Sequence, residues 1–389
     1  VPGKSLIPAF VISDHFLNRL GKKPGKTVPC YNVQRKERHQ MENRKLRINM
    51  YSSADKVDGQ GVGSAYKEQV ALVSQARDLF DVEVNKPGRE ADIQHFHTID
   101  PLFFLRMRNK KAVNVAYCHF LPDTVMDGSL KVPGPLRKIV AEYIIRFYNA
   151  ADHLIVVNPS FIPELEKYGI PRRKIRYIPN YVSHEVFHPL GKEKRDAARR
   201  EYGIDPDAFV VLGAGQVQTR KGVRDFVETA KRLPHLTFVW AGGFSFGKIT
   251  DGYEELKEIM DNPPANVIFT GIVPREKMAE LYNMTNVLFV PSYNELFPMT
   301  ILEAANLHVP MVIRDLDLYK EILMGHYMRG DSVEEFTELL HVLSSTPEVY
   351  AQYQEESRKI SEYYSADHVL SMWKTFYVQA WKYKDHFRS

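Results

Sequence analysis

Cysteine is nearly absent: the 389-residue chain holds two, Cys30 and Cys118, far apart in sequence. That excludes a disulfide framework and points to a reducing compartment. No His and Cys cluster has the spacing of a zinc site, and no serine or cysteine stands in a nucleophile elbow. Internal repeats and low-complexity tracts are missing too. No apolar run approaches the roughly 20 residues of a membrane-spanning helix, so the chain is expected to be soluble or to lie on a surface. Residues 6–17 are apolar but broken by Pro8, Asp14 and His15, which argues against a secretory signal. Pro2, Pro8, Pro24 and Pro29 interrupt any period at the start, so residues 1–40 are expected to be an extension outside the fold, with Met41 a candidate start.

What remains is ample for two cores, since 44% of the residues are hydrophobic. The net charge of +4 conceals a split: Lys and Arg against Asp and Glu number 8 to 2 over residues 1–40, 26 to 19 over 41–200, and 18 to 27 over 201–389. A basic front half should meet something anionic, a membrane surface or nucleic acid. The chain has no nucleic-acid module and no aromatic-basic stacking platform, so no nucleic-acid partner is expected. Arg106, Arg108, Lys110, Lys111, Lys131, Arg137, Lys138 and Arg146 accompany apolar residues at 136, 139/140, 143/144 and 147, a helical spacing. These eight cations are the predicted membrane-binding residues. A core-facing helix with a solvated basic side fits the same spacing.

Strands are expected at 46–51, 93–97, 112–118 and 153–158, and again at 209–213, 237–241, 267–269, 287–290 and 311–313, with helical patterns between them. That alternation makes parallel sheets. After the first strand come Gly59, Gly61 and Gly63, leading into a helix through about Leu79. The spacing is not that of a dinucleotide fingerprint, and no acidic residue closes a clear second strand, so the residues argue against an NAD enzyme. The boundaries expected are a first domain at 41–190, a charged linker at 191–206, a second domain at 207–365 and a terminal segment at 366–389.

Residues 286–303 organise the rest: an apolar run ends at Pro291, loops, and restarts as a helical pattern. Ligands of open α/β sheets bind at the carboxyl ends of such strands. With Pro298 in the first turn of the helix, the free N–H groups of Met299 and Thr300 face the loop and make an anion site. Glu295 in the loop and Glu303 about two turns along the helix add acceptors. A nucleotide sugar needs this combination: donors for its diphosphate and acceptors for its hydroxyls.

Glu-(seven residues)-Glu after a strand, preceded by Gly-Ala-Gly-Gln-Val-Gln-Thr-Arg-Lys-Gly-Val at 213–223, resembles the retaining GT-B glycosyltransferases of family 4. The resemblance covers most of the chain after about residue 46. Gly-Gln-Gly-Val-Gly-Ser-Ala-Tyr at 59–66 and Asn-Glu-Leu-Phe-Pro-Met-Thr at 294–300 look like the bacterial branch that glycosylates diacylglycerol lipids in glycolipid and lipoteichoic acid anchor synthesis. The resemblance implies an α/β fold of the GT-B kind, two Rossmann-like doubly wound domains facing across a cleft, with a last helix crossing back to the first. It implies transfer of glucose or galactose from a UDP-sugar to a glycerolipid, on an anionic membrane surface at the inner face of the cell membrane. No cofactor or metal is implied. The alternative is a family 4 transferase acting on a capsular or soluble saccharide.

The site residues follow from the same resemblance. His119 matches a histidine near the donor sugar and acceptor, positioning the acceptor or stabilising the oxocarbenium-like centre. Glu295 contacts sugar hydroxyls and Glu303 the ribose. Gly61 and Val62 lie against the donor phosphates. Lys221 neutralises the departing diphosphate; the usual arginine position holds Gln216, so either Arg220 substitutes or the site leans on one cation. Phe297, Pro298, Met299 and Thr300 form the phosphate cradle, Pro298 replacing the usual glycine. Val273 matches the residue that backs the base, and fits the core as well. Asp315-Leu-Asp317 is similar to a metal-binding motif of another fold, and the family carries it without metal duty.

Overall fold

The computed structural model describes residues 44–54, 61–119, 121–122, 134–245 and 247–385. The expected extension 1–40, Gly59 and Lys131 lie outside the described residues. Two parallel six-stranded sheets organise the chain from Lys45 onward. The first contains β1 Leu46–Tyr51, β2 Phe80–Val84, β3 Ile93–Phe96, β4 Val113–Cys118, β5 His153–Val156 and β6 Ile175–Tyr177. The second contains β7 Val210–Ala214, β8 Thr237–Ala241, β9 Val267–Gly271, β10 Val287–Val290, β11 Met311–Arg314 and β12 Met328–Gly330.

Strands β3, β4, β5, β10 and β11 are buried along their whole length, because helices cover both faces of a parallel sheet. The sequences of β5, β10 and β11 are correspondingly apolar for most of their length, whereas β3 and β4 bury Gln94, His95 and Asn114 among apolar residues. The strands not anticipated from the sequence, β2, β6 and β12, are three of the four edge strands in the orders β2-β1-β3-β4-β5-β6 and β12-β11-β10-β7-β8-β9. An edge strand buries less, and Phe-Asp-Val-Glu-Val of β2 accordingly carries acids among its apolar residues. The helix Gly61–Val73 stops short of the expected Leu79, because the chain must turn before β2 begins at Phe80.

In the second sheet the order reverses between β7 and β10, and in the first between β1 and β3. Loops at such a point diverge to opposite faces and leave a crevice at the carboxyl ends of the strands. The two carboxyl ends meet: Asn158, after β5, donates to Leu296 O at 3.1 Å and Leu318 O at 2.9 Å, and Asn180, after β6, donates to Phe297 O at 3.2 Å. A single apolar core runs from the first sheet across to one face of the second. The other face of the second sheet has its own core around Phe226, Trp240, Phe289 and Phe336.

The charged stretch at 191–206, expected as a linker, has secondary structure of its own. It folds as the helix Lys192–Glu201, whose Arg199 is wholly buried and donates to the carbonyls of Met284, Pro206 and Ala208 and to Asn286 Oδ1. One guanidinium, with five donors, satisfies carbonyls that the ends of neighbouring elements leave unpaired. The helix Ala366–Lys382 follows the second sheet in sequence yet packs on the first, Tyr377 reaching His95 Nδ1 at 2.7 Å and Gln69 Nε2 at 3.2 Å.

Candidate active site

The loop after β7 and the loop after β10 lie side by side because their strands are neighbours. Three contacts join them. Tyr293 N donates to Arg220 O at 2.8 Å, Arg220 Nη1 donates to Asn294 O at 3.1 Å, and Gly222 approaches Pro291 so closely that a Cβ would lie 2.2 Å from its carbonyl oxygen. Gly222 also has φ +69°, a left-handed conformation that glycine adopts without strain. From below, the buried Arg314 donates to Pro291 O at 2.9 Å and pairs with Asp225, which also accepts from Tyr293 Oη at 2.7 Å.

This clamp brings Lys221 into a buried ion pair with Glu295, and Arg220 Nη1 to 3.9 Å from Glu295 Oε2. Burial by itself would raise the Glu295 carboxyl. The charges of Lys221 and Arg220, with hydrogen bonds from Lys221 and Ser292, outweigh it and hold the group below the usual range. Burial lowers Lys221, and Glu295 opposes that shift. Gln216 is linked to the cations: Gln218 Nε2 donates to its Oε1 at 2.7 Å, and Arg220 Nε donates to Gln218 Oε1 at 3.0 Å. Two cations therefore stand at Glu295, although the position of the usual arginine holds Gln216.

Pro298 is the cap of the helix Met299–Asn306, with extended φ −67° and ψ 133°, rather than part of its first turn. Met299 and Thr300 are then the first helical residues and their N–H groups have no intrahelical partner, which is what the expected anion site requires. The Phe297 ring turns away to pack on Tyr364 at 5.2 Å. Val273 is half-buried against the shared core. Gly61 opens the helix Gly61–Val73, in which Val62 is half-buried.

Glu303 belongs to a second cluster. Tyr282 Oη donates to its Oε2 at 2.9 Å, Arg275 Nη1 lies 3.7 Å from its Oε1, and Arg275 also pairs with Glu68 of the helix Gly61–Val73. Burial raises Glu303, with Arg275 pulling the other way.

His119 follows β4 and stacks on Tyr117 at 4.3 Å, beside His97 at 5.9 Å. Burial pushes its imidazole down to about 3, so it is neutral at physiological pH. His119 Nε2 and both ring nitrogens of His97 are buried without a hydrogen-bond partner. Such atoms are costly unless something docks on them.

Sequence reasoning missed His97, Glu68, Arg275, Tyr282 and Arg314. A signal existed for one of them: His95-Phe-His97 and Tyr117-Cys-His119 each place two rings on one side of adjacent strands. Nothing in the sequence marked Glu68 or Arg275, which meet only across the two halves.

The predicted membrane cations divide. Arg108, Lys110, Lys111, Lys138 and Arg146 are exposed, and Arg137 is half-exposed. Arg146 pairs with Glu142 at 2.6 Å. Arg106 turns inward, its guanidinium 5.3 Å over the Tyr51 ring. The apolar stripe assigned to the helix Gly134–Ala150 also needs correction, because Ile139 is 64% exposed. The adjacent helix Pro101–Arg106, joined to it through Phe104 and Tyr143 at 5.9 Å, exposes Leu102 by 70% and Leu105 by 51%. Among the described residues no helix is long and apolar enough to cross a membrane, and no group of three or more His, Cys, Asp or Glu could hold a metal ion. Asp317 is paired with Lys320 at 2.6 Å.

The sequence is 51% identical over 340 residues to the alpha-galactosylglucosyldiacylglycerol synthase of Streptococcus pneumoniae, covering 87% of this chain and 90% of that protein. The chain belongs to the family 4 glycosyltransferases. Two family models match this glycosyltransferase, "Glycosyltransferase Family 4" over residues 66–186 and "Glycosyl transferases group 1" over 194–360. The processive diacylglycerol alpha-glucosyltransferase of Acholeplasma laidlawii is 27% identical over 203 residues, 51% of this chain and 59% of that one. The GT-B fold is shared with HepE of Anabaena, solved with UDP and glucose: TM-score 0.69, 13% identity, covering 86% of this chain and 99% of that one. Sucrose-phosphate synthase from Thermosynechococcus elongatus matches at TM-score 0.70 and 15% identity, over 87% and 100% of the two chains.

Proposed function

We propose that this glycosyltransferase moves glucose or galactose from a UDP-sugar to a diacylglycerol-type lipid, glucosyl-diacylglycerol foremost, with retention of the α configuration. The observation that carries the donor half is the meeting of Lys221, Arg220 and Glu295 at the crevice between β7 and β10, beside the free N–H groups of Met299 and Thr300. The cations and amides take the diphosphate, in a site where buried charges act strongly on a leaving group and a divalent ion is not needed. Glu295 accepts from sugar hydroxyls and Glu303 from the ribose. The bond from the anomeric carbon to the diphosphate breaks as the bond to the acceptor oxygen forms on the same face, and the hydroxyl proton passes to the departing phosphate oxygen. His119, neutral, takes a hydrogen bond at this centre and positions the acceptor.

The acceptor half is supported by the 51% identity to a diacylglycerol glycolipid synthase and by the exposed Leu102, Leu105 and Ile139 among cations. Apolar side chains ringed by Lys and Arg suit an anionic bilayer surface, here the inner face of the cell membrane. The test is transfer of radiolabel from UDP-glucose and UDP-galactose to diacylglycerol and to its monoglucosyl derivative. Label should enter the organic-extractable lipid; label confined to water-soluble product overturns the lipid assignment.

A further inference from the structure

Glu303 and Glu68 come from opposite halves of the molecule, and both are more than nine-tenths buried. A single cation stands between them. Arg275 pairs with Glu68 Oε1 through Nη2 and lies 3.7 Å from Glu303 Oε1 through Nη1. Its guanidinium is also fixed 4.8 Å over the Phe187 ring. Glu68 is held on its other oxygen by Ser183 N at 3.1 Å, so its position is set from two sides. Among the described residues Glu303 accepts a close hydrogen bond from Tyr282 Oη alone, at 2.9 Å on Oε2, which leaves Oε1 with lone pairs to spare for an incoming donor.

We propose that Arg275 is a positioning residue of the nucleotide site, sharing its charge between Glu303 and Glu68 and so tying occupancy of Glu303 to the first-half helix Gly61–Val73. The inference rests on Glu303 being the ribose acceptor. A hydroxyl pair donating to Glu303 needs the carboxylate form, and burial works against that form. Arg275 works for it without outweighing burial, while the nearby charge of Glu68 opposes it and competes for the same guanidinium. The groups facing Glu303 are Tyr282 and Arg275 of the helix Arg275–Met284 and Glu68 of the helix Gly61–Val73; Glu185 acts on Glu68 from the segment beyond Ser183. The Tyr282 hydroxyl is pushed far up by burial and remains a donor throughout. The helix that Glu68 belongs to opens at Gly61, beside the predicted donor loop, so a change at Glu303 is communicated to the half that holds His119.

The charges give the two acidic-side variants opposite signs. Arg275→Gln strips Glu303 of the one cation beside it among the described residues, so donor binding should fade at a higher pH than in the wild type. Glu68→Gln removes a like charge and releases Arg275 toward Glu303, so binding should persist to a lower pH. Calorimetric titration of UDP across pH 4.5 to 8 reads this directly, and the ionisation of UDP itself is common to all variants and cancels in their differences. A displacement of about one pH unit, about tenfold in affinity on the acid side, is expected in each direction, with Arg275→Lys between wild type and Arg275→Gln. A purely structural ion pair would weaken UDP binding in both variants alike. Midpoints that move together, or not at all, overturn the inference while leaving the donor site standing. Wild-type protein that binds no UDP at any pH overturns the donor-site reading itself.

Discussion

Replacing Lys221 with methionine tests the Glu295 pair on two scales at once. The side chains of Lys221 and Glu295 are 13% and 7% exposed, so the variant leaves a carboxylate buried with only Arg220, 3.9 Å away, for company. Removing one partner of a buried pair costs about 3–5 kcal/mol. The nearby Arg220 places the expected loss at the lower end, about 3 kcal/mol. Urea unfolding followed by tryptophan fluorescence reads it, because Trp240 is buried in the same half and donates to Gly215 O at 3.1 Å. Coupling Lys221→Met with Glu295→Gln removes both charges and should recover most of the stability, since neutral replacements of a buried pair are often close to isoenergetic. Turnover should not recover. Losing a preorganised charge at a leaving group costs about 10²–10³ in rate, and the double variant also lacks the sugar contact. Acid supplies a further control. The Glu295 carboxyl sits below its ordinary value of 4.5, so its stabilisation is present above that pH and is lost as pH falls through the lower folded value. In Lys221→Met the same acid relieves the stranded charge, and the stability gap to wild type should narrow. A single variant as stable as wild type, or a double variant with restored turnover, refutes the reasoning.

Gly222→Ala should destabilise the protein by about 1–3 kcal/mol and raise KM for the donor, because a Cβ there meets Pro291 O at 2.2 Å; unchanged denaturation and KM would mean that the two loops do not depend on this approach. The His119 imidazole is held near 3 by burial, so kcat of the wild type should show no limb near pH 6.5, while His119→Ala lowers kcat by about 10²-fold or more with UDP affinity unchanged by calorimetry. Leu102→Ser combined with Ile139→Ser should cut flotation with anionic vesicles severalfold and leave transfer to a detergent-dispersed lipid largely intact, since each exposed side chain contributes roughly 1.5–3 kcal/mol when fully buried in a bilayer.

Much was legible before any fold was known, for identifiable reasons. Central parallel strands are buried on both faces, so each of β4, β7, β10 and β11 is a short apolar run between polar segments, readable without its partners. The helix that restarts after Pro291 is a local feature, legible within one residue of its start at Met299; Glu295 and Lys221 were singled out with the help of the family resemblance. Strands β2, β6 and β12 were missed because edges need less burial and their residues are therefore mixed. The segment at 191–206 looked like a linker because the two alanines of its helix hardly register beside its charges; Arg199 is inside because the carbonyls of Pro206, Ala208 and Met284 and the Asn286 side chain accept from it.

The sequence alone determined that strands and helices alternate as parallel sheets require, that a helix restarts after the apolar run ending at Pro291, and that Glu295 and Glu303 flank its start. Only the tertiary structure decided which groups share a charge. Lys221 and Glu295 are 74 residues apart and meet because β7 and β10 are neighbours; Glu68 and Arg275 are 207 apart and meet because the carboxyl ends of the sheets face each other. Electrostatic coupling depends on distance through a buried medium, and distance of that kind is a property of the folded chain, not of its order.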